Sequence, residues 1–261
     1  MHILDKIVAA KRREVDLKKS MIPVVQLDKS RLMERDTVSL VNRLSHSKSG
    51  IISEHKRRSP SKAAINTSLS VEDVVLGYTK AGASGISILT DGQFFGGSLD
   101  DLILARASTT CPLLRKEFII DEYQLIEARA HGADVILLIA AILTPDQIRS
   151  LSQLASDHGL EVLLEVHNLE ELERSLCPEI DMVGVNNRNL KTFEVSVENS
   201  LTLADKIPDQ FLKISESGID SIDTIKHLRT HGYRGFLIGE QFMKSEHPGN
   251  SARTFIQQLE R

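Results

Sequence analysis

Cysteine is nearly absent from this 261-residue sequence: there are two, Cys111 and Cys177. They lie far apart and form no CxxC pair, so neither a disulfide framework nor a thiolate metal site is expected, and both thiols read as reduced. Long apolar runs are missing too. None approaches the length that spans a bilayer, and no membrane partner is expected. The opening stretch, MHILDKIVAAKRREVDLKKS, lacks the apolar segment of a secretory signal, which makes the cytoplasm the expected compartment. An excess of positive charge is also lacking. The formal charge is −4, which argues against nucleic acid as a partner, since general binders carry a basic face. Glycine is lacking at one informative place: the segment KRRSPSK at 56–62 has none, whereas a doubly wound nucleotide-binding sheet needs a Gly-rich turn after its first strand.

What is there is ordinary globular material, 41% hydrophobic and 26% charged, with enough chain for one large α/β domain. Residues 1–20 read as a helix with Ile3, Ile7 and Val8 on one face and Val15 further along. Its basic residues Lys11, Arg12, Arg13, Lys18 and Lys19 read as a solvated face or as a positive field near an anionic substrate. From 23 to 49 the pattern breaks, with one apolar cluster at Leu40, Val41 and Leu44. Residues 1–49 are therefore expected to form a helical extension packed on the unit at 50–261, one structural domain overall.

From Ile51 a rhythm sets in. Short β-rich apolar runs at 51–56, 85–90, 112–118, 134–140, 161–166, 181–186, 211–216 and 235–239 alternate with helical stretches at 71–81, 99–107, 122–131, 145–158, 169–176, 197–207, 221–231 and 251–259. Ser70 and the run Thr144-Pro145-Asp146 mark helix starts, and Gly132, Gly159 and Gly232 sit just past helix ends. Strands alternating with helices in this way predict parallel pairing with right-handed crossovers. The expected fold is α/β, a (β/α)8 TIM barrel with an N-terminal helical extension.

In such a barrel the chemistry sits at the C-terminal strand ends. Glu54 and Lys56, two apart on the first strand, share a face. A buried Lys–Glu couple is either a structural ion pair or working chemistry. The other ends supply Thr90 and Asp91, Lys116 and Phe118, Glu165, then Asn186 with Arg188 and Leu190, then Glu216-Ser217-Gly218, and Gly239. The fourth offers nothing polar. Two lysines, three carboxylates and an asparagine meeting at one mouth favour acid–base catalysis over a structural ring of ion pairs. Ser217-Gly218 and Gly239-Glu240 each precede a helical segment, the pattern of a phosphate site built on backbone N–H groups. His227 and His231, four apart on a helix, read as a wet helix face, and so does His167 beside Glu165.

Taken together, seven segments resemble the indole-3-glycerol-phosphate synthase family over nearly the whole chain: SEHKRRSPSK (53–62), SILTDGQFFGGSLDDL (87–102), LLRKEFIIDEYQL (113–125), LLEVHN (163–168), VGVNNRNLKTF (183–193), SESGI (215–219) and FLIGEQFM (236–243). The resemblance implies a phosphate-binding barrel without metal or organic cofactor. Its implied reaction is ring closure, decarboxylation and dehydration of 1-(2-carboxyphenylamino)-1-deoxyribulose 5-phosphate to indole-3-glycerol phosphate, in tryptophan biosynthesis. It implies Lys116 as general acid at the ketone oxygen, Lys56 as holder of the substrate carboxylate in proton exchange with Glu54, and Glu165 as acid–base in dehydration. Asn186 would orient the substrate, and Ser217 belongs to the same set. Phe118, Pro60, Phe95 and Leu190 would form an apolar slot. Ser59, Ser217, Gly218, Gly239 and Glu240 would cradle the phosphate, with Arg188 near it and Glu216 among the binding residues.

Burial and mutual charge are expected to bring the lysine and glutamate pKa values towards neutrality. Phe94-Phe95-Gly96-Gly97 reads as a mobile loop able to close over the site. The chain departs from the family pattern at His55, expected to pack under a helix, at Ala63 in place of a glycine, and at Glu240 in place of a small residue. The Glu240 backbone N–H is expected to bind phosphate while its side chain turns out. Two alternatives stand beside this reading. A phosphorylated-sugar isomerase such as phosphoribosylanthranilate isomerase would share the phosphate site but not Glu54, Lys56, Lys116 and Glu165. A phosphate-ligand sensor or subunit scaffold would need no turnover. A monomer is expected, because no exposed apolar stripe stands out.

Overall fold

The alternation of apolar runs and helices closes into a barrel of eight parallel strands: β1 (Ile51–His55), β2 (Gly85–Leu89), β3 (Leu113–Lys116), β4 (Val135–Ile139), β5 (Glu161–Val166), β6 (Met182–Asn186), β7 (Leu212–Glu216) and β8 (Tyr233–Ile238), with β8 returning to pair with β1. The structure is a computed structural model and describes residues 3–190 and 192–261. Among the described residues three α-helices precede the barrel: α1 (Ile3–Met21), α2 (Val24–Leu27) and α3 (Leu40–His46). Around it run α4 (Val71–Ala81), α5 (Gly92–Phe95), α6 (Leu99–Ser108), α7 (Tyr123–Ala130), α8 (Pro145–Asp157), α9 (Leu169–Ser175), α10 (Glu198–Leu203), α11 (Ile222–Thr230), α12 (Glu240–Met243) and α13 (Pro248–Leu259).

Local chemistry sets most boundaries. Ser70, Ser98, Thr144, Asn168 and Ser221 each accept a backbone N–H as N-cap. Two ends differ from the sequence expectation. β8 starts at Tyr233, because exposed Arg234 separates the buried Tyr233 from the apolar run that follows. α13 starts at Pro248, a first-turn proline that fits a helix N-terminus. The first two residues of the helix expected at 1–20 lie outside the described residues.

Side chains alternate across each strand, and the odd strands stack inward in levels. Ile52, Leu114, Leu163 and Ile214 belong to one buried apolar cluster inside the barrel. Two residues further along the same four strands come Glu54, Lys116, Glu165 and Glu216. The extension covers both ends of this interior. Leu40 and Leu44 of α3 are buried in the same cluster and seat against Gly85 and Gly235 near the strand starts. Ile3, Leu4 and Ile7 of α1 join the cluster from the mouth.

Lys11 corrects the solvated-face expectation for α1. Arg12 and Arg13 are exposed, but Lys11 is 1% exposed and sits in the buried stripe between Ile7 and Val15. Its ammonium lies 3.0 Å from Asp91, 3.0 Å from Glu117 and 2.8 Å from Glu14. Burial opposes its charge, yet the nearby carboxylates, Glu117 first, raise its pKa above the normal lysine value. An apolar patch does stand out at the α1–α2 corner, where Leu17, Met21 and Val25 are 67%, 77% and 66% exposed, contrary to the sequence expectation.

Removing one partner of a buried ion pair costs about 3–5 kcal/mol, since it strands the others. Lys11→Met is expected to lower stability by that order in urea titration. An unchanged midpoint would mean the lysine does not hold α1 to the barrel.

Candidate active site

Four side chains from alternate strands converge just below the mouth. Lys116 Nζ, ending β3, is 3.0 Å from Glu165 Oε2 of β5 and also pairs with Glu216 Oε2 of β7. Glu54 of β1 completes the level and pairs with Lys56 at 2.5 Å. Space for the carboxylates comes from a glycine on β6 and another just past β8: a methyl at Gly184 would collide with Glu216 Oε1, and one at Gly239 with Glu54 Oε1.

The environment splits the charges. Burial disfavours the Lys116 ammonium, but Glu216, Glu165 and Glu54 outweigh it and its pKa is raised. The expectation of a lysine drawn towards neutrality is therefore wrong, because three anions surround one cation. Glu165 is pushed up by burial but pulled down further by Lys116, His167 and Asn186, so its pKa is lowered. Glu216 is pushed up to about 7, by burial first, with Glu165 and Glu54 adding repulsion against the pull of Lys116. Two glutamates on one lysine thus hold their protons differently.

Above this level opens a cavity of about 420 Å³. Every residue the sequence assigned to catalysis or substrate binding lines it: Glu54, Lys56, Ser59, Pro60, Phe95, Lys116, Phe118, Glu165, Asn186, Arg188, Leu190, Glu216, Ser217, Gly218, Gly239 and Glu240. Phe95 and Phe118 face each other with ring centroids 5.8 Å apart. On the other side Ser217 and Gly218 both take positive φ, 69° and 71°, which opens the backbone after β7. Asn187 holds that turn: its Nδ2 donates to Ser217 O and Ser215 Oγ, each at 3.0 Å, and its Oδ1 accepts from Ser200.

Glu240 opens α12 beside this turn. Its carboxylate is clamped by Lys62 and, at 2.8 Å, by Lys244. Burial raises its pKa, but the two lysines bring it down to about 2. The side chain thus carries its own counter-charge. His55 is buried on the outer face of β1, as expected, and burial with Arg57 nearby pushes its pKa down to about 4. The segment read as a mobile loop begins in a short capped helical turn, Gly92–Phe95. Asp91 accepts from Phe94 N and Phe95 N at 2.6 and 3.2 Å, and Arg58 donates to Gly92 O and Gln93 O at 2.8 and 3.0 Å.

Sequence reasoning missed the roof residues Ile3, Leu4 and Ile7, because nothing local ties α1 to the mouth. It also passed over Asn187, whose signal was its place directly after Asn186, facing out of the barrel where no ligand is expected.

A closed parallel barrel with lysines, carboxylates and an opened backbone turn at its C-terminal mouth has the architecture of a (β/α)8 enzyme. The family model for indole-3-glycerol phosphate synthase matches residues 4–255, and the chain belongs to that family. A relative of that name from Bacteroides thetaiotaomicron is 49% identical over 258 residues, covering 99% of each chain. One from Polaromonas sp. is 46% identical over 251 residues, covering 95% of each. Among solved structures, 3-hexulose-6-phosphate synthase from Salmonella typhimurium matches with a TM-score of 0.62 at 14% identity, covering 80% of this chain and 98% of that one. Thiamine phosphate pyrophosphorylase from Pyrococcus furiosus matches with a TM-score of 0.59 at 17% identity, covering 85% and 99%. These two likenesses establish the fold alone.

The raised pKa of Glu216 has a stability consequence. Its protonation favours the folded state, an effect complete below the unfolded value of 4.5 and lost as pH rises through about 7. Glu216→Gln, which cannot ionise, is expected to remove a pH-dependent loss on the order of 3 kcal/mol. Urea midpoints compared at about pH 5 and about pH 8 test this; equal pH differences in parent and variant would reject it.

Proposed function

We propose that this chain closes the indole ring of 1-(2-carboxyphenylamino)-1-deoxyribulose 5-phosphate, with loss of CO2 and water, to give indole-3-glycerol phosphate. The observation that carries this reading is Lys116, a cation kept protonated by the carboxylates around it and facing a cavity with an aromatic wall on one side and an open backbone turn on the other. Family membership supports the same reaction.

The chemistry assigns the roles. The ring carbon bearing the carboxylate attacks the ketone carbon, and the ketone oxygen gains negative charge. Lys116 meets that charge and gives the oxygen a proton. Lys56 holds the substrate carboxylate until CO2 leaves, and Glu54, 2.5 Å from it, exchanges its proton. In dehydration Glu165, an ionised carboxylate, takes the proton that the new ring loses, and the hydroxyl receives a second proton from the Lys116–Glu216 pair to leave as water. Asn186 orients the substrate oxygens. The ring packs between Phe95, Phe118, Pro60 and Leu190. The phosphate takes the backbone N–H groups of Gly218, Gly239 and Glu240, with Ser59, Ser217 and Arg188 at its edge. Glu216, protonated near neutrality, lines the same space. The reading includes a cytoplasmic monomer, and sedimentation tests the monomer directly; the apolar α1–α2 corner is where a dimer would otherwise form.

Lys116→Ala is expected to lower kcat by about 10²–10⁴-fold, the usual worth of a positioned acid, with KM changed far less. The rise of indole fluorescence with chelator present is the assay. A variant that keeps its kcat removes Lys116 from the acid role, and a parent protein that binds this substrate without turnover removes the reaction.

A further inference from the structure

We propose that His167 is the proton outlet of Glu165: a positioning residue whose imidazole Nε2 takes up the proton that Glu165 removes during dehydration and later returns it. The proposal rests on the reaction assigned above.

The strand period starts the argument. Glu165 and His167 are two apart, and His167, one residue past β5, stays on the side of Glu165, with Val166 buried on the outer side. His167 does not line the cavity, so it acts through Glu165. Its two nitrogens are in different situations. Nδ1 lies 3.2 Å from Glu171 Oε2. Glu171 is the third residue of α9, and its carboxylate also accepts from His167 N at 2.8 Å and from Asn168 Nδ2 at 2.9 Å. These donors and the helix N-terminus keep Glu171 ionised; burial opposes this, but its pKa is lowered. A permanent acceptor opposite Nδ1 fixes the N–H there.

Nε2 is therefore the nitrogen that titrates. It is buried, makes no hydrogen bond, and lies 3.5 Å from Glu165 Oε1. Contacts of this kind are often long before substrate arrives. The other oxygen of Glu165 is taken by Lys116 at 3.0 Å, and Oε1 is the oxygen that faces Nε2. The step is a single transfer. Oε1–H gives its proton to Nε2, the carboxylate is restored and the imidazole becomes imidazolium; the reverse returns the proton, and no other bond changes. The charged groups facing the ring are Glu165 from β5, Glu171 from α9 and Glu216 from β7. Burial lowers the imidazole pKa, but these three carboxylates outweigh it and raise it above the usual histidine value. A buried glutamate under a bound substrate needs an exit that does not cross the substrate, and His167 provides one along the side of the barrel.

The alternative is that His167 only helps cap α9. Two variants separate these roles. His167→Asn puts an amide where Nδ1 was and keeps the contact to Glu171; His167→Gln puts one where Nε2 was. Neither can titrate. Single-turnover indole formation, with enzyme in excess, is followed against pH. The parent rate is expected to rise through an inflection above the usual histidine range, where the neutral ring is ready to accept. Both variants are expected to lose that inflection and about tenfold in rate, with substrate Kd unchanged. A parent without the inflection, or either variant retaining the parent profile and rate, overturns the proposal. In the intact protein, NMR titration of the His167 ring is expected to move to lower pH in Glu165→Gln, and an unmoved titration overturns the pairing. A parent that forms no indole overturns the functional reading itself, whereas the NMR result judges the pairing without turnover.

Discussion

One ammonium held by carboxylates from separate strands organises the mouth of this barrel. Lys116 reaches Glu165 and Glu216 only because β3, β5 and β7 bring their inward positions to the same height. A cation and three anions largely removed from solvent would each be costly alone. They persist here because each has a partner and because Gly184 and Gly239 leave room for two of the carboxylates. The apolar level beneath, with Ile52, Leu114, Leu163 and Ile214, supplies the hydrophobic burial that a charged level cannot.

The same device recurs one layer out. Lys11 carries a charge from α1 to Asp91 and Glu117, the residues just beyond β2 and β3. Asp91 caps the short helix that carries Phe95, and Glu117 accepts from Phe118 N at 2.8 Å. The two rings of the aromatic wall therefore hang on carboxylates that share one lysine from the extension. The extension also supplies the apolar roof through Ile3, Leu4 and Ile7. Removing α1 would take away both the lid of the cavity and the counter-charge behind its aromatic wall.

Much of this was legible in the sequence, for physical reasons. Strand period 2 placed Glu54 with Lys56 and Lys116 with Phe118 before any contact was known. The position of the strand ends then gathered residues from the whole chain to one mouth. What was illegible depends on distance in space. Lys11 looked like its exposed neighbours Arg12 and Arg13, because its partners are Asp91 and Glu117, about a hundred residues away. Glu165 and Glu216 look alike as letters, yet one is pulled down and the other pushed up to about 7. Glycines at 96 and 97 suggested a loop, while the cap from Asp91 and the clamp from Arg58 make a helical turn.

The contrast between the two glutamates explains how one cluster can serve both halves of a reaction. Attack on the ketone needs a proton donor, and dehydration needs an acceptor close by. A site of identical carboxylates would hold them at similar pKa values and do one task well. Here Glu165 shares Lys116 with Glu216 but has His167 and Asn186 beside it as well, so it stays ionised. Glu216 feels the repulsion of both other carboxylates and has no second cation, so it takes the proton that the cluster as a whole can hold. Lys116 returns to its charged form after giving up a proton, because the carboxylates around it together raise its pKa. The division of labour follows from neighbours and burial, with no difference in residue type, and the β-barrel that fixes those neighbours is what makes it reproducible.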